Sequence, residues 1–436
     1  MQFRETIYAL SSGKVPSGVA VVRVSGPSAL PITSAMAGYD IEPRAAALRN
    51  LRAADGTMLD RGLVLFFRGP HSFTGEDCAE FHLHGGRAVV ASVIEAIGAF
   101  AATRMAEPGE FTRRAFLNGK MDLVEAEALA DLIAAETDTQ RRFALASAQG
   151  AQSAAYASWR KRIIHALAMM EAELDFSDES DVPGSVADEV WADVAFLIRE
   201  ICFHTAGFKR AEIVREGFRV VILGAPNAGK SSLLNALAKR DVAIVTDEPG
   251  TTRDLIDVAL DLGGIKVILT DTAGLRDGAG MVEAIGIERA LARARDADLV
   301  LRLVPADGEI GLNSQNAAEL LVRSKCDLSS DTGVDFDCVV SVKTGVGLTE
   351  LLRTIEMRAK TAIGVDADIL PARLRHVELL NRAAAHLERA LAMDPAWLEL
   401  RAEELRSAAK AFGTIAGQVD VEDVLDAVFS EFCIGK

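Results

Sequence analysis

The chain has 436 residues, half of them apolar and a quarter charged, with a formal net charge of −16. This composition excludes a disordered or fibrous protein, and the length allows two or three domains with separate cores. The negative charge opposes non-specific binding to nucleic acid, so any RNA contact must use a local basic patch or a partner.

The N-terminus and the cysteines indicate the compartment. The N-terminal residues lack a basic start followed by an apolar core, and no apolar run reaches about 18 residues. The five cysteines are scattered without a CxxC pair, which suggests neither a disulfide framework nor a zinc site. We therefore expect a cytoplasmic protein that does not bind membranes.

Residues 1–118 alternate apolar strands, among them 19–24 and 62–67, with turns and Ala-rich helical stretches. This pattern predicts a small α/β domain. His82 and His84 would lie on one face of a strand, but two histidines without a third ligand make a poor zinc site, so we interpret them as structural.

Residues 119–215 are rich in Ala, Leu, Glu and Arg at helical spacing and predict nearly continuous helix with one break, at Pro183-Gly184. A second helical segment, 357–436, is broken at Pro395. We expect the two segments to pack together as one helical domain. The intervening residues 216–356 begin with a strand, a glycine-rich turn and a helix, the order of a nucleotide-binding βα unit.

Residues 224–231, GAPNAGKS, fit the pattern GxxxxGK[ST] directly after the strand 219–223. Such a loop points backbone N–H groups at phosphates, sends Lys230 to the β and γ oxygens and lets Ser231 hold Mg²⁺. The GTP contacts predicted here are Gly224, Asn227, Ala228, Gly229, Lys230, Ser231 and Ser232.

Two further segments are predicted to lie beside the phosphates. Thr252 in GTTRD stands where a threonine can reach the metal, and Asp271 in DTAG, after the strand 267–269, can hold a metal-bound water. The nucleotide contacts predicted in and directly before these segments are Thr246, Asp247, Glu248, Pro249, Gly250, Thr251, Thr252, Asp271, Thr272, Ala273 and Gly274.

The residues Ser324-Lys325-Cys326-Asp327 stand in the place of a guanine-reading NKxD motif, and Ser341-Val342-Lys343 resembles the supporting SAK loop. Asp327 can accept both guanine N–H donors, so guanine is predicted over adenine. Ser324 departs from the Asn or Thr of the pattern. We expect its shorter side chain to weaken the bracing of the loop at some cost in affinity.

The residue after DTAG is Leu275, where Ras-like proteins have a glutamine that orients the attacking water. Leucine cannot orient water, so another residue must do so. Glu283 is the best-placed candidate on the same segment, although its spacing alone favours an ordinary solvated glutamate.

With these residues in view, the chain resembles the MnmE (TrmE) family of tRNA-modification GTPases over essentially its whole length. The resemblance rests on GAPNAGKSSLLNAL, IVTDEPGTTRD, DTAGLR with VEAIGIERA, PGEFTRRAFLNGKMDLVEAEALADLI and the terminal FCIGK. It implies an α/β plus all-α architecture: an N-terminal α/β folate-binding and dimerisation domain, a helical domain, and an inserted Ras-like P-loop G domain of mostly parallel sheet with flanking helices.

The resemblance implies a GTPase that works with an FAD-dependent partner of the MnmG (GidA) type. The two would add an aminomethyl or carboxymethylaminomethyl group to carbon 5 of the tRNA wobble uridine. G domains of the family dimerise across K⁺, which Asn227, Thr246, the Glu248 carbonyl and Thr251 would bind here. Glu283 aligns with the family's general base.

The N-terminal domain of the family forms a homodimer and binds a one-carbon folate of the 5-formyltetrahydrofolate type. Arg23, Glu80, Lys120 and Lys436 match its ligand positions. Arginine and lysine suit the ligand's carboxylates and carbonyls, and a glutamate suits the amino edge of a pterin. Cys433 matches the family's C-terminal cysteine and is a candidate catalytic thiol.

Three alternatives stay open. The first is a ribosome-assembly GTPase of the Era or EngA kind, although no KH-like GxxG loop follows residue 356. The second is an independent one-carbon transferase, and the third is a dimeric signalling scaffold. Three basic stretches are candidate tRNA contacts: Arg113-Arg114, Arg141-Arg142 and Arg160-Lys161-Arg162.

Overall fold

The structure is a computed structural model. It describes residues 3–38, 41–175, 184–240, 242–244, 257–271, 292–305, 318–328, 335–364, 369–418, 425, 428–430, 432 and 435. The chain divides into two compact units. One comprises Met1–Ala130, Ser153–Arg160 and Ala409–Lys436, and the other comprises Asp131–Gln152 and Lys161–Ala408.

The first unit contains a six-stranded sheet in the order β3-β4-β5-β2-β1-β6. Its strands are β1 Thr6–Leu10, β2 Ser17–Ser25, β3 Ala47–Arg52, β4 Met58–Phe67, β5 Cys78–Gly85 and β6 Thr103–Met105. All neighbours are antiparallel except β1 and β6. The strands predicted at 19–24 and 62–67 are confirmed within β2 and β4.

Two helices, α1 Ala29–Ala37 and α2 Arg87–Gly98, form the apolar core of this unit with one face of the sheet. The strands alternate accordingly: Val22 and Val24 of β2 are fully buried, while Arg23 between them points to the other face. Because the register pairs Arg23 with Glu80 of β5, the two predicted ligand residues are direct cross-strand neighbours on the face opposite the helices.

A short helix, α3 Glu110–Leu117, carries a buried charge network. Arg114 is 1% exposed and makes ion pairs with Glu76 at 3.1 Å and Glu110 at 3.0 Å. Burial opposes ionisation of Glu110, but its hydrogen bonds with Arg104 and Arg114 outweigh this effect and lower its pKa. Arg114 is therefore an internal residue, and the prediction that it contacts tRNA is wrong.

The helical segment after residue 119 is more interrupted than predicted. It forms α4 Leu123–Ala134, α5 Asp138–Ala148, α6 Ala151–Asp175, α7 Gly184–Ala206 and α8 Phe208–Glu216. Thr137 and Gln140 form a capping box that starts α5, and Gly150, with φ 83°, ends it. The prediction of one break near residue 183 is therefore wrong, because these local stop and start signals override the continuous apolar spacing.

The second unit contains another six-stranded sheet, in the order β12-β11-β10-β7-β9-β8. Its strands are β7 Phe218–Gly224, β8 Asp257–Leu262, β9 Ile265–Asp271, β10 Leu299–Pro305, β11 Glu319–Ser324 and β12 Cys338–Val339. All neighbouring strands are parallel except the edge hairpin β8–β9. The predicted mostly parallel sheet and the strands at 219–223 and 267–269 are confirmed.

Helices cover both faces of this sheet, as a parallel sheet requires. Helices α9 Lys230–Ala238 and α10 Leu348–Ile363 pack on one face, and the helical residues 292–296 bring Ala294 against Val221 and Val300 on the other. Helix α5 is attached to the edge hairpin, where the Thr139 amide donates to the Gly264 carbonyl at 3.1 Å and Lys266 pairs with Glu136 at 2.5 Å.

Two further helices follow, α11 Leu374–Ala392 and α12 Leu398–Ile415, and the chain between them contains Pro395 as expected. Helix α11 packs against α7, so segments from both sides of residues 216–356 meet in the structure. The Arg401 guanidinium lies over the Trp191 ring at 3.5 Å. Over the described ranges, no helix is long and apolar enough to cross a membrane.

A buried histidine makes the stability of the second unit depend on pH. His204 of α7 is 7% exposed; burial lowers its pKa to about 4, a backbone hydrogen bond with Ile369 opposes this, and the nearby His376 adds to it. The native state thus favours neutral imidazole, so its stabilising effect is complete above an unfolded pKa of about 6.5 and is lost as the pH falls towards 4.

We expect the free energy of unfolding of this unit to drop by about 2 kcal/mol between pH 7.5 and pH 5, as urea unfolding followed by circular dichroism would measure. His204→Gln, which cannot take up the proton, should remove that part of the dependence. The exposed His165 provides the matched control, His165→Gln, which should keep it. An unchanged pH dependence in His204→Gln would refute this explanation.

Candidate nucleotide-binding site

The predicted phosphate loop connects the central strand β7 to helix α9. Gly224 has φ 158°, and a Cβ there would lie 2.6 Å from the Leu303 carbonyl oxygen. Asn227 and Gly229 both have left-handed backbone, with φ 65° and 93°. The chain therefore turns sharply and enters α9 at Lys230, so that backbone N–H groups at a helix N-terminus face the turn, as in an anion-binding site.

Lys230 is 9% exposed and is held inside this loop. Its ammonium group donates to the Gly224 carbonyl at 2.8 Å and to the Ala225 carbonyl at 3.1 Å. Burial lowers the pKa of Lys230, and the negative charge of Asp271 opposes that shift. A phosphate group would therefore replace weak carbonyl acceptors with charged oxygens.

Ser231 and Asp271 meet beside the phosphate loop. The Ser231 hydroxyl donates to Asp271 Oδ2 at 2.5 Å, and Asp271, the last residue of β9, is 3% exposed. A hydroxyl and a carboxylate are oxygen donors of the kind that Mg²⁺ prefers, so this pair fits the predicted metal. The structure brings them together although they are 40 residues apart in sequence.

The predicted guanine-reading residues follow the ends of β11 and β12. Ser341 donates from its hydroxyl to Asp327 Oδ1 at 2.7 Å, and this bond lowers the pKa of Asp327, assisted by the charges of Lys343 and Lys325. Asp327 is thus an ionised acceptor at neutral pH. Val342, next to Ser341, is 37% exposed.

Ser324 differs from the expectation of a weakly braced loop. It is 5% exposed, and its hydroxyl donates to the Ala228 carbonyl of the phosphate loop at 2.6 Å. The serine therefore ties the base-reading segment directly to the phosphate loop. The predicted cost in affinity remains a prediction.

The remaining predicted site residues lie outside the part of the chain that the structure describes. They are Thr246, Asp247, Glu248, Pro249, Gly250, Thr251, Thr252, Thr272, Ala273, Gly274, Glu283, Cys433 and Lys436. Of the predicted K⁺ ligands, Asn227 alone is described; its left-handed backbone lies at the turn of the phosphate loop.

A second candidate site lies on the N-terminal sheet. The Arg23 guanidinium pairs with Glu80 at 2.9 Å and stacks over the rings of Phe73 and Phe111 at 5.2 and 5.6 Å. His82 Nε2 is 3.5 Å from the other Glu80 oxygen. A cation, a carboxylate and two aromatic rings together fit a flat heterocyclic ligand that carries carboxylate groups.

Lys120 is joined to this site through the loop between β4 and β5. Its ammonium group donates to the Pro70 carbonyl at 3.0 Å, and its aliphatic chain lies beside Gly75. Phe73, which stacks on Arg23, belongs to the same loop. Three of the four predicted folate residues are thus described, and a single loop contacts both basic ones.

The residues that hold this loop in place were not among the predicted site residues. Ser25 donates to Glu76 at 2.8 Å and lies 2.7 Å from the Thr74 hydroxyl, and Arg114 pairs with Glu76. The Asn118 amide donates to the Thr74 carbonyl at 2.7 Å. The sequence signal for this network is weak, because polar residues in three separate segments are typical of solvated positions until the fold brings them together.

The two histidines of β5 make separate pairs. His84 Nδ1 lies 2.7 Å from Asp60, while His82 faces Glu80. Among the residues that the structure describes, no group of three His, Cys, Asp or Glu side chains could hold a metal ion.

Three arginines of the other two basic stretches make ion pairs. Arg141 and Arg142 pair with Asp138 at 2.7 and 2.9 Å. Arg162 pairs with Asp193 at 2.6 Å and with Glu200. Such pairing reduces the local positive charge that a tRNA contact would need.

Two protein-family models match the chain. The one described as GTP-binding protein TrmE N-terminus matches residues 6–120, and the one described as MnmE helical domain matches residues 123–433. The predicted combination of an N-terminal α/β domain, a helical domain and a G-domain sheet is thereby confirmed.

Curated relatives match over the whole length. A tRNA modification GTPase MnmE of Mesorhizobium japonicum is 60% identical over 439 residues, which covers 99% of both chains. The protein of the same name from a Chelativorans strain is 56% identical and covers 99% of this chain and 98% of its own. That from Brucella suis is 53% identical over 436 residues and covers 100% and 99%.

Two solved structures illustrate the likeness of part of the chain to G domains. The G domain of the Thermotoga maritima FeoB iron transporter is 26% identical and covers 32% of this chain and 98% of its own, with a TM-score of 0.26. A variant of Aquifex aeolicus Era bound to GDP·AlF4⁻ is 22% identical and covers 38% and 66%, also with a TM-score of 0.26. These scores support no argument about function, whereas the full-length identities do establish the family: the chain belongs to the MnmE family of tRNA modification GTPases.

Proposed function

We propose that this protein hydrolyses GTP as part of a tRNA-modifying enzyme. The observation that carries the proposal is the convergence of three elements at the carboxyl end of the parallel strands. These are the phosphate loop with its buried Lys230, the Ser231–Asp271 pair, and the Asp327–Ser341 pair joined to the loop through Ser324. Together they provide phosphate binding, metal binding and guanine recognition.

In this proposal the residues of the site have distinct tasks. Lys230 exchanges its carbonyl partners for the β and γ oxygens of GTP, and Asp327 accepts from the N–H edge of guanine. Ser231 and Thr252 would hold Mg²⁺, and Asp271, which accepts from Ser231, would supply a further oxygen acceptor beside the metal. When bound, Mg²⁺ and K⁺ neutralise charge that develops on the phosphates, as an arginine finger does elsewhere.

Hydrolysis further requires a group that orients water. Leu275 has no polar atom for this task, so we propose Glu283 as the general base. The proposal includes dimerisation of G domains around K⁺, with Asn227, Thr246, the Glu248 carbonyl and Thr251 as its ligands. It rests on the family resemblance of the segments that carry these residues.

We propose further that the protein acts in the cytoplasm as a homodimer, together with an MnmG-type FAD-dependent partner, on the wobble uridine of tRNA. Arg23, Glu80, Lys120 and Lys436 would bind a one-carbon tetrahydrofolate, and Cys433 is the candidate catalytic thiol. The proposed domains are 1–118 for folate binding, 119–215 and 357–436 for the helical part, and 216–356 for GTP.

The cation dependence of GTP hydrolysis tests the catalytic proposal. Steady-state turnover should rise on the order of 10-fold or more when K⁺ replaces Na⁺ at equal ionic strength, because K⁺ would supply charge in place of an arginine finger. Equal rates in the two salts would exclude the K⁺ mechanism and favour a GTPase of the Era or EngA kind.

Base specificity tests the role of Asp327. Asp327→Asn removes the acceptor for the guanine N–H groups, so GTP affinity should fall about 100-fold. Xanthosine triphosphate has a carbonyl at carbon 2 that can accept from the new amide, so it should bind more tightly to the variant than to the unmodified protein. Nucleotide titration by fluorescence measures both values. Parallel losses for the two nucleotides would mean that Asp327 stabilises the loop without reading the base.

Folate binding tests the N-terminal site. Arg23→Ala removes the cation that contacts Phe73 and Phe111 and leaves His82 as the partner of Glu80, so affinity for 5-formyltetrahydrofolate, measured by calorimetry, should fall at least about 10-fold with unchanged GTP hydrolysis. The matched control is Arg61→Ala, an exposed arginine of β4. Equal folate affinity in both variants would remove Arg23 from the site.

A further inference from the structure

Ser324 occupies the position at which the base-reading segment leaves the sheet. It is the last residue of β11, where the register pairs it with Pro305 of β10. Its hydroxyl donates to the Ala228 carbonyl at 2.6 Å, and the Val304 carbonyl lies at 3.5 Å. The phosphate loop and the base-reading segment are thus joined by a buried hydrogen bond that is short compared with a typical one.

The hydrogen-bonding capacity of a serine limits what else this residue can do. A hydroxyl has a single proton, and here that proton is directed at Ala228. An asparagine, which the NKxD pattern has at this position, carries two amide protons and can brace the loop with one while the other reaches an acceptor on the base. Serine therefore provides the brace and has no donor left for guanine.

The other residues of the base-reading segment are held in place without such a donor. Asp327 is oriented by the Ser341 hydroxyl at 2.7 Å, and the Thr344 amide in turn donates to that hydroxyl at 3.2 Å. Lys325, between Ser324 and Asp327, has left-handed backbone with φ 55°, which turns the segment from the strand into the loop. The acceptor for the guanine N1–H and N2–H₂ groups would thus be Asp327, with no direct contact needed from the side chain at position 324.

We propose that Ser324 is a positioning residue that fixes the base-reading segment to the phosphate loop, and that the site consequently recognises guanine without a side-chain contact from position 324 to N7. This inference rests on the proposed GTP-binding function and specifies how that site selects its base. It gives the site a tolerance for substitution at N7 that an asparagine at this position would remove.

The first test compares GDP with 7-deaza-GDP, which lacks the N7 acceptor and keeps the N1–H, N2–H₂ and O6 groups. Calorimetry on the full chain should give dissociation constants that agree within about 2-fold, because no hydrogen bond from position 324 is lost. If the wild type prefers GDP over 7-deaza-GDP and Ser324→Ala keeps that preference, another residue contacts N7 and the proposed tolerance at N7 is refuted. If Ser324→Ala abolishes the preference, Ser324 itself contacts N7 and the proposal is overturned.

The matched variant is Ser324→Asn, which introduces a second amide proton. It should create a preference for GDP over 7-deaza-GDP of about 2- to 10-fold, the value of one net hydrogen bond. A role for Ser324 that is only structural would change both affinities together and would leave their ratio unchanged. An unchanged ratio in Ser324→Asn would therefore contradict the proposal.

The bracing role has its own pair of variants. Ser324→Ala should weaken GDP and 7-deaza-GDP equally, by about 5- to 100-fold, because it removes the donor to a buried carbonyl. Ser324→Thr retains the hydroxyl and should rescue most of this loss. Ser324→Ala with full affinity would show that the bond to Ala228 contributes nothing to binding.

One control separates this inference from the proposed function. If the unmodified chain does not prefer GDP over ADP, the proposed guanine specificity is wrong, and with it the basis of the Ser324 inference. If GDP is preferred over ADP, and either Ser324→Ala abolishes a wild-type preference for GDP over 7-deaza-GDP or Ser324→Asn leaves the ratio unchanged, the GTP-binding proposal stands and the assignment of Ser324 is wrong.

Discussion

The parallel course of β7, β9, β10 and β11 is the constraint on which the nucleotide site depends. Parallel neighbours end at the same edge of a sheet, so the loops that follow them converge whatever their separation in sequence. The phosphate loop after β7, Asp271 at the end of β9 and Ser324 at the end of β11 are brought within hydrogen-bonding distance in this way. An antiparallel arrangement would place alternate loops at opposite edges.

A site assembled in this manner contains buried polar groups that must be satisfied before any nucleotide arrives. An unpaired buried donor or acceptor costs about 1–3 kcal/mol, more if it is charged. The protein meets this requirement internally: Lys230 donates to two loop carbonyls, and Ser231 donates to Asp271. A nucleotide that binds here would therefore exchange these internal partners for a more highly charged set, and its binding free energy would be the difference between the two.

The position of the phosphate loop could be predicted from the sequence because its signal is local. The motif lies within one strand–loop unit, and the apolar run 219–223 marks the strand that precedes it. The hydroxyl contact of Ser324 with Ala228 could not be predicted, since it joins two loops across 96 residues. Comparison with a pattern residue suggested a loss of bracing, whereas the shorter side chain reaches a backbone carbonyl.

For the helical segments, the type of secondary structure was easier to predict than the positions of its interruptions. Their composition predicted helix correctly, but the interruptions at Thr137 and Gly150 depend on single residues whose capping or left-handed conformations compete with apolar spacing that continues through them. The interruption before α5 has a structural consequence. It frees that helix to lie against the β8–β9 hairpin, where Lys266 and Glu136 pair, and so attaches part of the helical segment to the nucleotide-binding sheet.

The N-terminal site obeys the same requirement of internal pairing by different means. A guanidinium group between two aromatic rings loses much of its hydration, and it needs a carboxylate partner or a ligand that provides one. Arg23 has Glu80 directly across from it because the register of β2 and β5 leaves no other residue opposite. The strand register therefore fixes the direction in which the arginine points, and the network of Glu76, Arg114 and Ser25 fixes the loop that brings Phe73 to it. A ligand that binds there meets a cation whose orientation folding has already determined, so little conformational entropy remains to be lost on binding.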